Sequence, residues 1–171
     1  MHFQLEHHEV SIVPLSSRRL GIFRKMNPRK LALDEIQSIV DAETNAWNNL
    51  DADALVALFH PDMVWVWPAD AQSHDPETWV MPMGRFNADR WKSDWNRLFQ
   101  DFTLAHNHRT TVRIEVSDQL DGAFAVVDVD TLWVNKHDQS NFHWQGRACK
   151  VYVKVEDRWL FIHQTGLLRY H

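Results

Sequence analysis

The sequence predicts a single α+β domain, on three observations. Apolar residues recur at helical spacing between Leu31 and Leu50, four later segments alternate at period two, and turn-forming residues separate those segments. With 171 residues the chain is long enough for one full core and too short to expect two.

The elements follow in order. In the first helix, Leu31 to Leu50, the residues Leu33, Ile36, Ile39, Val40, Ala46, Trp47 and Leu50 sweep one arc, while Asp34, Gln37, Ser38, Asp41, Asn45 and Asn48 take the other. Asp51 is a natural cap for a shorter second helix running through Phe59, which Pro61 should stop. Met63 to Trp67 is a wholly apolar run ended by Pro68, the pattern of a strand covered on both sides. A polar loop through Asp75, Pro76 and Pro82 leads to a third helix over Asn87 to Gln100, with Trp91, Trp95, Leu98 and Phe99 at helical spacing. Strands are expected at Thr103 to Val116, Ala123 to Val134, Phe142 to Val155 and Arg158 to Leu168. The turns at Asp121-Gly122, Asp138 to Asn141 and Glu156-Asp157 make them an antiparallel meander. Residues 1–30, rich in His, Arg and Lys and poor in packing residues, read as a loosely attached extension ahead of a domain over 31–171. Within that extension Met26 resembles a natural start.

Composition excludes several functions. A net charge of −5 is unsuited to holding phosphate backbones, so nucleic acid is not an expected partner. No apolar run approaches the roughly 18 residues of a membrane span, so no membrane role is expected. The single Cys149 precludes an intramolecular disulfide, and with no secretion signal at the amino terminus the expected location is the cytoplasm.

Glu43 is the most informative residue, because it lies near the centre of the apolar arc of the first helix. A carboxylate buried alone costs several kcal/mol, so it must find a donor, reach water or keep its proton. Either it roofs a polar pocket, or it snorkels past a helix end or pairs structurally with an arginine. Strand alternation places Leu104, His106, His108, Thr110, Val112 and Ile114 on one face, expected inward. In the next-to-last strand the expected outer set is Lys150, Tyr152 and Lys154, leaving His143, Gln145, Arg147, Cys149, Val151 and Val153 covered. In the last strand Trp159, Phe161, His163 and Thr165 share a side. In the Ala123 to Val134 strand both sets are partly apolar, so helices and a second subunit are candidates to cover its two faces. Five of the nine tryptophans cluster in two segments, Trp65 and Trp67 in one and Trp79, Trp91 and Trp95 around the other. Such rings either fill a core or line a pocket for a flat ligand.

The strings Ala46-Trp47-Asn48-Asn49-Leu50-Asp51-Ala52-Asp53-Ala54-Leu55 and Leu58-Phe59-His60-Pro61-Asp62 resemble the start of the SnoaL-like and nuclear-transport-factor-like proteins, which include ketosteroid isomerase. Gly84-Arg85, Gly146-Arg147 and the pair Trp159 and His163 are similar to later landmarks of that group, in the same order. The resemblance covers about residues 31–168. It implies a cone-shaped α+β barrel, a strongly curved antiparallel sheet wrapped around helices, with a pocket at its wide end and commonly a homodimer. By the same resemblance Glu43 falls where the isomerase has its oxyanion-stabilising tyrosine. The isomerase's two pocket aspartates fall on Trp67 and near Cys149 or Val151, so steroid isomerisation by that mechanism is not expected. Matching Ala123-Phe124-Ala125 to the family turns Asp128 and Asp130 toward the pocket, whereas a looser match to the kinase association domain of the same superfamily turns them outside; the inward facing is the one expected, because its match needs no gap.

The resulting expectation is cofactor-independent general acid/base catalysis on a small apolar organic molecule. Asp128 or His143 moves a proton, Arg147 stabilises negative charge, Glu43 donates or orients water, and His163 stands nearby. Trp47, Trp65, Trp67, Trp91, Trp95, His106, His108 and Asp130 bind the substrate. The rival expectation is a noncatalytic ligand-binding or oligomerisation domain in which Glu43 is a structural ion and the tryptophans are core. Neither a resident metal nor a cofactor is expected, although His106 and His108 could both reach Zn²⁺ if His143 or His163 joined them.

Overall fold

The computed structural model describes residues 27–67 and 76–167. Helix α1 spans Pro28–Asn48, and the Asn27 side chain caps it by accepting a hydrogen bond from the Arg29 backbone N–H at 2.9 Å. It starts three residues before the expected Leu31, because Asn27 and Pro28 form a cap and first-turn pair. Asp51 caps α2, Ala52–Val56, as expected, by accepting from the Ala54 N–H at 2.9 Å. That helix ends earlier than expected, and strand β1 already runs from Phe59 to Trp65 through Pro61. A single 3₁₀ turn at Pro76–Thr78 precedes α3, Ala88–Asp101. The four remaining strands are β2 (Phe102–Val116), β3 (Gly122–Asn135), β4 (Asn141–Val155) and β5 (Arg158–Gln164). Leu168, the expected end of the last strand, lies outside the described residues, as do residues 1–26.

The five strands form one sheet in the order β1-β5-β4-β3-β2. The meander β2 to β5 is antiparallel, and its last hairpin turns at Glu156 and Asp157, whose φ values of 47° and 62° are those of the tight turn that matches strand twist. β1 pairs in parallel with β5 along one edge. As an edge strand it is covered on one side only, with Met63 and Trp65 buried and Val64 exposed, which corrects the expectation of cover on both faces.

The helices cover one face of the sheet. Between them lies a core of rings: Trp47 meets Trp95, Phe99, Trp133 and Trp144 edge to face at centroid distances of 5.3–6.3 Å. The opposite face is open among the described residues, with Val64, Phe124 and Val151 exposed.

Register decides what reaches the core. In β3 the odd-numbered Ala123, Ala125, Val127, Val129, Thr131 and Trp133 are buried, so Asp128 and Asp130 point to the open face. Pairing carries this parity into β4, where Trp144 faces Thr131, Lys150 faces Ala125 and Tyr152 faces Ala123. The buried set of β4 is therefore Trp144, Ala148, Lys150 and Tyr152, the reverse of the expected one. In β2 the pairing slips between Leu104 and His106 and again between Thr111 and Arg113. Each extra residue flips the alternation. Leu104 and Ile114 thus pack inward while His106, His108 and Thr110 turn outward. A third slip lets Val151 pair with His163 and Tyr152 with Phe161, so His163 leaves the side of Phe161 for the open face. These irregularities also bend the long strands around the helices.

Candidate functional site

Two assemblies on the helix side contain the side chains of interest. The first surrounds Glu43, which is 2% exposed. Lys150 donates to its Oε1 and Oε2 at 2.9 and 2.7 Å, Arg109 to Oε1 at 2.9 Å, and Trp47 Nε1 more weakly at 3.4 Å. Lys150 also donates to Gln164 Oε1 at 2.6 Å, and Arg109 to Asn107 Oδ1 at 3.0 Å. Burial pushes the Glu43 carboxyl up, but Lys150 and Arg109 together outweigh it and hold the group below its ordinary value, so it stays an anion. Burial, with Arg109 adding repulsion, draws Lys150 down to about 8 against the pull of Glu43. Two cations thus share one anion in the interior, a locked ion group rather than a carboxyl with a raised pKa.

The second is a cleft of about 260 Å³ lined by Trp65 and Trp67 at the end of β1, Pro82 and Met83, Asp94, Trp95 and Leu98 of α3, and Phe142 and Trp144 of β4. Trp65 and Trp67 stack at 5.3 Å, and Trp67 and Phe142 each meet Trp144 at 6.0 and 5.6 Å. The indole N–H groups of Trp65, Trp67 and Trp144 are shielded from solvent and have no hydrogen-bond partner. Outside the cleft, Trp91 donates to the Met83 carbonyl at 3.0 Å and Trp159 to Glu35 at 2.8 Å, while the Trp79 and Trp133 N–H groups are likewise buried without a partner. Folded proteins retain few unpaired buried donors, each costing about 1–3 kcal/mol.

The expected constellation does not converge. Glu43 faces the helices, whereas Asp128, Asp130, His106, His108, His143, Arg147 and His163 lie on the other side of the sheet. There Arg147 clasps Asp128 with two hydrogen bonds of 2.7 and 2.9 Å, and His106 and His143 both approach Asp130 Oδ1. Of the expected ring residues, Trp65, Trp67 and Trp95 line the cleft, and Trp47 and Trp91 are buried in the core. Sequence reasoning missed Arg109, Lys150 and Gln164 around Glu43, and Asp94, Phe142 and Trp144 in the cleft. The shared parity of Phe142, Trp144, Ala148 and Tyr152 was the available signal for β4.

Residues 29–165 match the model of the SnoaL-like domain. The chain belongs to the SnoaL-like family. Solved structures similar to this SnoaL-like chain include a conserved protein from Planctomyces limnophilus, at 13% identity and a TM-score of 0.64 over 81% of this chain and 97% of that one. A ketosteroid isomerase-like protein from Erwinia carotovora atroseptica is 16% identical with a TM-score of 0.59, over 78% of this chain and 92% of its own. A putative scytalone dehydratase from Novosphingobium aromaticivorans is 14% identical with a TM-score of 0.60, over 84% and 91%. At these identities the likeness establishes the cone-shaped α+β fold of the superfamily and nothing narrower. Among curated proteins, none matches this sequence. No helix among the described residues is long and apolar enough to cross a membrane.

Proposed function

We propose that this SnoaL-like protein binds a small, flat, apolar organic molecule bearing an acceptor oxygen, held between Trp65, Trp67 and Trp144. The observation behind this reading is the three unpartnered indole N–H groups around one aromatic-walled cleft. Rings supply stacking area, and a small rotation of one indole would bring its unpaired N–H to a carbonyl or hydroxyl oxygen of the ligand. Two neighbours of this fold are named for small organic compounds, a ketosteroid and scytalone. The binding reading is favoured over turnover because Glu43 is engaged by Arg109 and Lys150 and the expected proton-moving groups lie across the sheet from the cleft. General acid/base turnover without a cofactor is the second reading, and its support is Asp94, the carboxylate in the cleft lining.

A homodimer completes the proposal, with a second copy on the open sheet face. Apolar Phe124, Val151 and Val64 are exposed there, and a two-fold copy would bury them against the same patch of its partner. The single Cys149 favours a cytoplasmic setting.

Calorimetric titration with 2-acetylnaphthalene, 1-tetralone and coumarin tests the binding reading, with naphthalene as the compound lacking an acceptor. Saturable one-to-one binding, stronger for 2-acetylnaphthalene than for naphthalene by about 2–12-fold for one hydrogen bond of roughly 0.5–1.5 kcal/mol, is the expected result. Absence of binding by all three carbonyl compounds would reject it. Incubation with the same compounds and product analysis, with Asp94→Asn alongside, tests turnover.

A further inference from the structure

We propose that His106, Asp130 and His143 form a binding site for one divalent late-transition-metal ion of the Zn²⁺ class on the open face of the sheet. The three residues come from the adjacent strands β2, β3 and β4. His106 and His143 flank Leu132 in the pairing register, and Asp130 stands two residues along β3 on the same face. His106 Nε2 lies 2.9 Å and His143 Nε2 2.6 Å from the same oxygen, Asp130 Oδ1. All three candidate ligand atoms fall within 4.8 Å of one another. Zinc bonds of about 2.0–2.2 Å in tetrahedral array set neighbouring ligand atoms roughly 3.3 Å apart. The carboxylate contacts therefore need to open by less than about an ångström to admit the ion, within reach of small side-chain rotations.

The surroundings favour a cation. Asp130 Oδ2 accepts no hydrogen bond among the described residues and is free to share the ion. The nearby Arg147 is paired with Asp128. His106 is braced by the stacked ring of His108, 4.9 Å away and 13° from parallel. The ligand side chains are 30–43% exposed, so a bound ion keeps water on its open positions and loses little hydration. Two nitrogens and one carboxylate suit zinc and its neighbours over Mg²⁺ or Ca²⁺, which prefer oxygen. Phe124, at the apolar end of this face, is six residues along β3 from Asp130, about 20 Å away, so the cluster lies apart from that apolar end. The cluster is independent of the cleft, which lies on the opposite side of the sheet.

The test is calorimetric titration of the chelator-stripped full chain with Zn²⁺ alone, repeated with Asp130→Asn, with His143→Gln, and with His2, His7 and His8 together changed to Gln. One stoichiometric site is expected, weakened on the order of tenfold or more by either ligand substitution and kept by the triple variant. Co²⁺ loading should give visible d–d absorption in the native chain and not in the two ligand variants. Unchanged metal-free thermal unfolding of those variants verifies that they fold, and should either unfold, the triple variant and the Co²⁺ spectrum of the native chain still decide. No stoichiometric binding, binding that survives both ligand substitutions, or binding lost with His2, His7 and His8 would overturn the proposal and leave a hydrogen-bonded cluster.

Discussion

Replacing Glu43 with glutamine should destabilise the protein far more than replacing Lys150 with methionine. Glu43 accepts from Lys150, Arg109 and Trp47. A glutamine there offers one oxygen to those donors and turns an N–H pair toward cations. It also leaves Arg109 and Lys150 buried without their anion. Uncompensating a buried ion group costs about 3–5 kcal/mol. Lys150→Met instead leaves Glu43 and Arg109 as a one-to-one pair. It forfeits hydrogen bonds to Glu43 and Gln164, and the buried methionine offsets part of that, for an expected loss of about 1–2 kcal/mol. Urea unfolding followed by tryptophan fluorescence measures both. A Glu43→Gln loss below about 1 kcal/mol, or the reverse order of the two variants, would show that Glu43 is not the anion on which both buried cations depend.

Three further outcomes are expected. Lys150 titrates near 8 when folded against 10.5 when free, so between those values the unfolded chain holds a proton that the folded chain has shed. Stability should therefore rise with pH upward from about 8, and denaturation midpoints should lose this rise in Lys150→Met. Trp144→Phe deletes one donor together with part of the stacking surface, so titration should show affinity for 2-acetylnaphthalene weakened more than that for naphthalene, by a further factor of about 2–12. Phe124→Asp puts a charge on the apolar end of the open face, and sedimentation velocity should show the dimer dissociating at least roughly tenfold more readily, the effect of about 1.4 kcal/mol.

The order of elements was legible because period, caps and turns act locally: Asp51 caps the second helix and Glu156-Asp157 turns the last hairpin where the sequence places them. The interior position of Glu43 was legible too, since helical spacing is rigid. Facing within the sheet was not. In β4 a buried lysine made the covered set look polar, so Lys150 and Tyr152 were assigned outward. The partner that makes its burial tolerable, Glu43, is 107 residues away in sequence. In β2 and β5 single-residue slips reversed the alternation, which moved His106, His108 and His163 to the open face. Nothing local announces such a slip, because it is set by the fit of long curved strands to one another. Asp128 and Asp130 were misplaced for a related reason: both faces of β3 carry apolar residues, and the odd set is the one that packs on Trp47 and the helices. The cleft combines residues from β1, α3 and β4, and its aromatic walls were half legible, in Trp65, Trp67 and Trp95. Trp144 and Phe142 join them only through the register of β4 with β3.

The most direct test of the ligand-binding account is an indole-region ¹H–¹⁵N correlation spectrum of the full chain during titration with 2-acetylnaphthalene, using tryptophan-to-phenylalanine variants to assign the nine signals. The resonances of Trp65, Trp67 and Trp144 should shift together to saturation, while those of Trp91 and Trp159, already bonded to Met83 and Glu35, stay in place. Saturable binding that leaves Trp65, Trp67 and Trp144 unmoved, or no binding to any acceptor-bearing bicyclic compound, would contradict it.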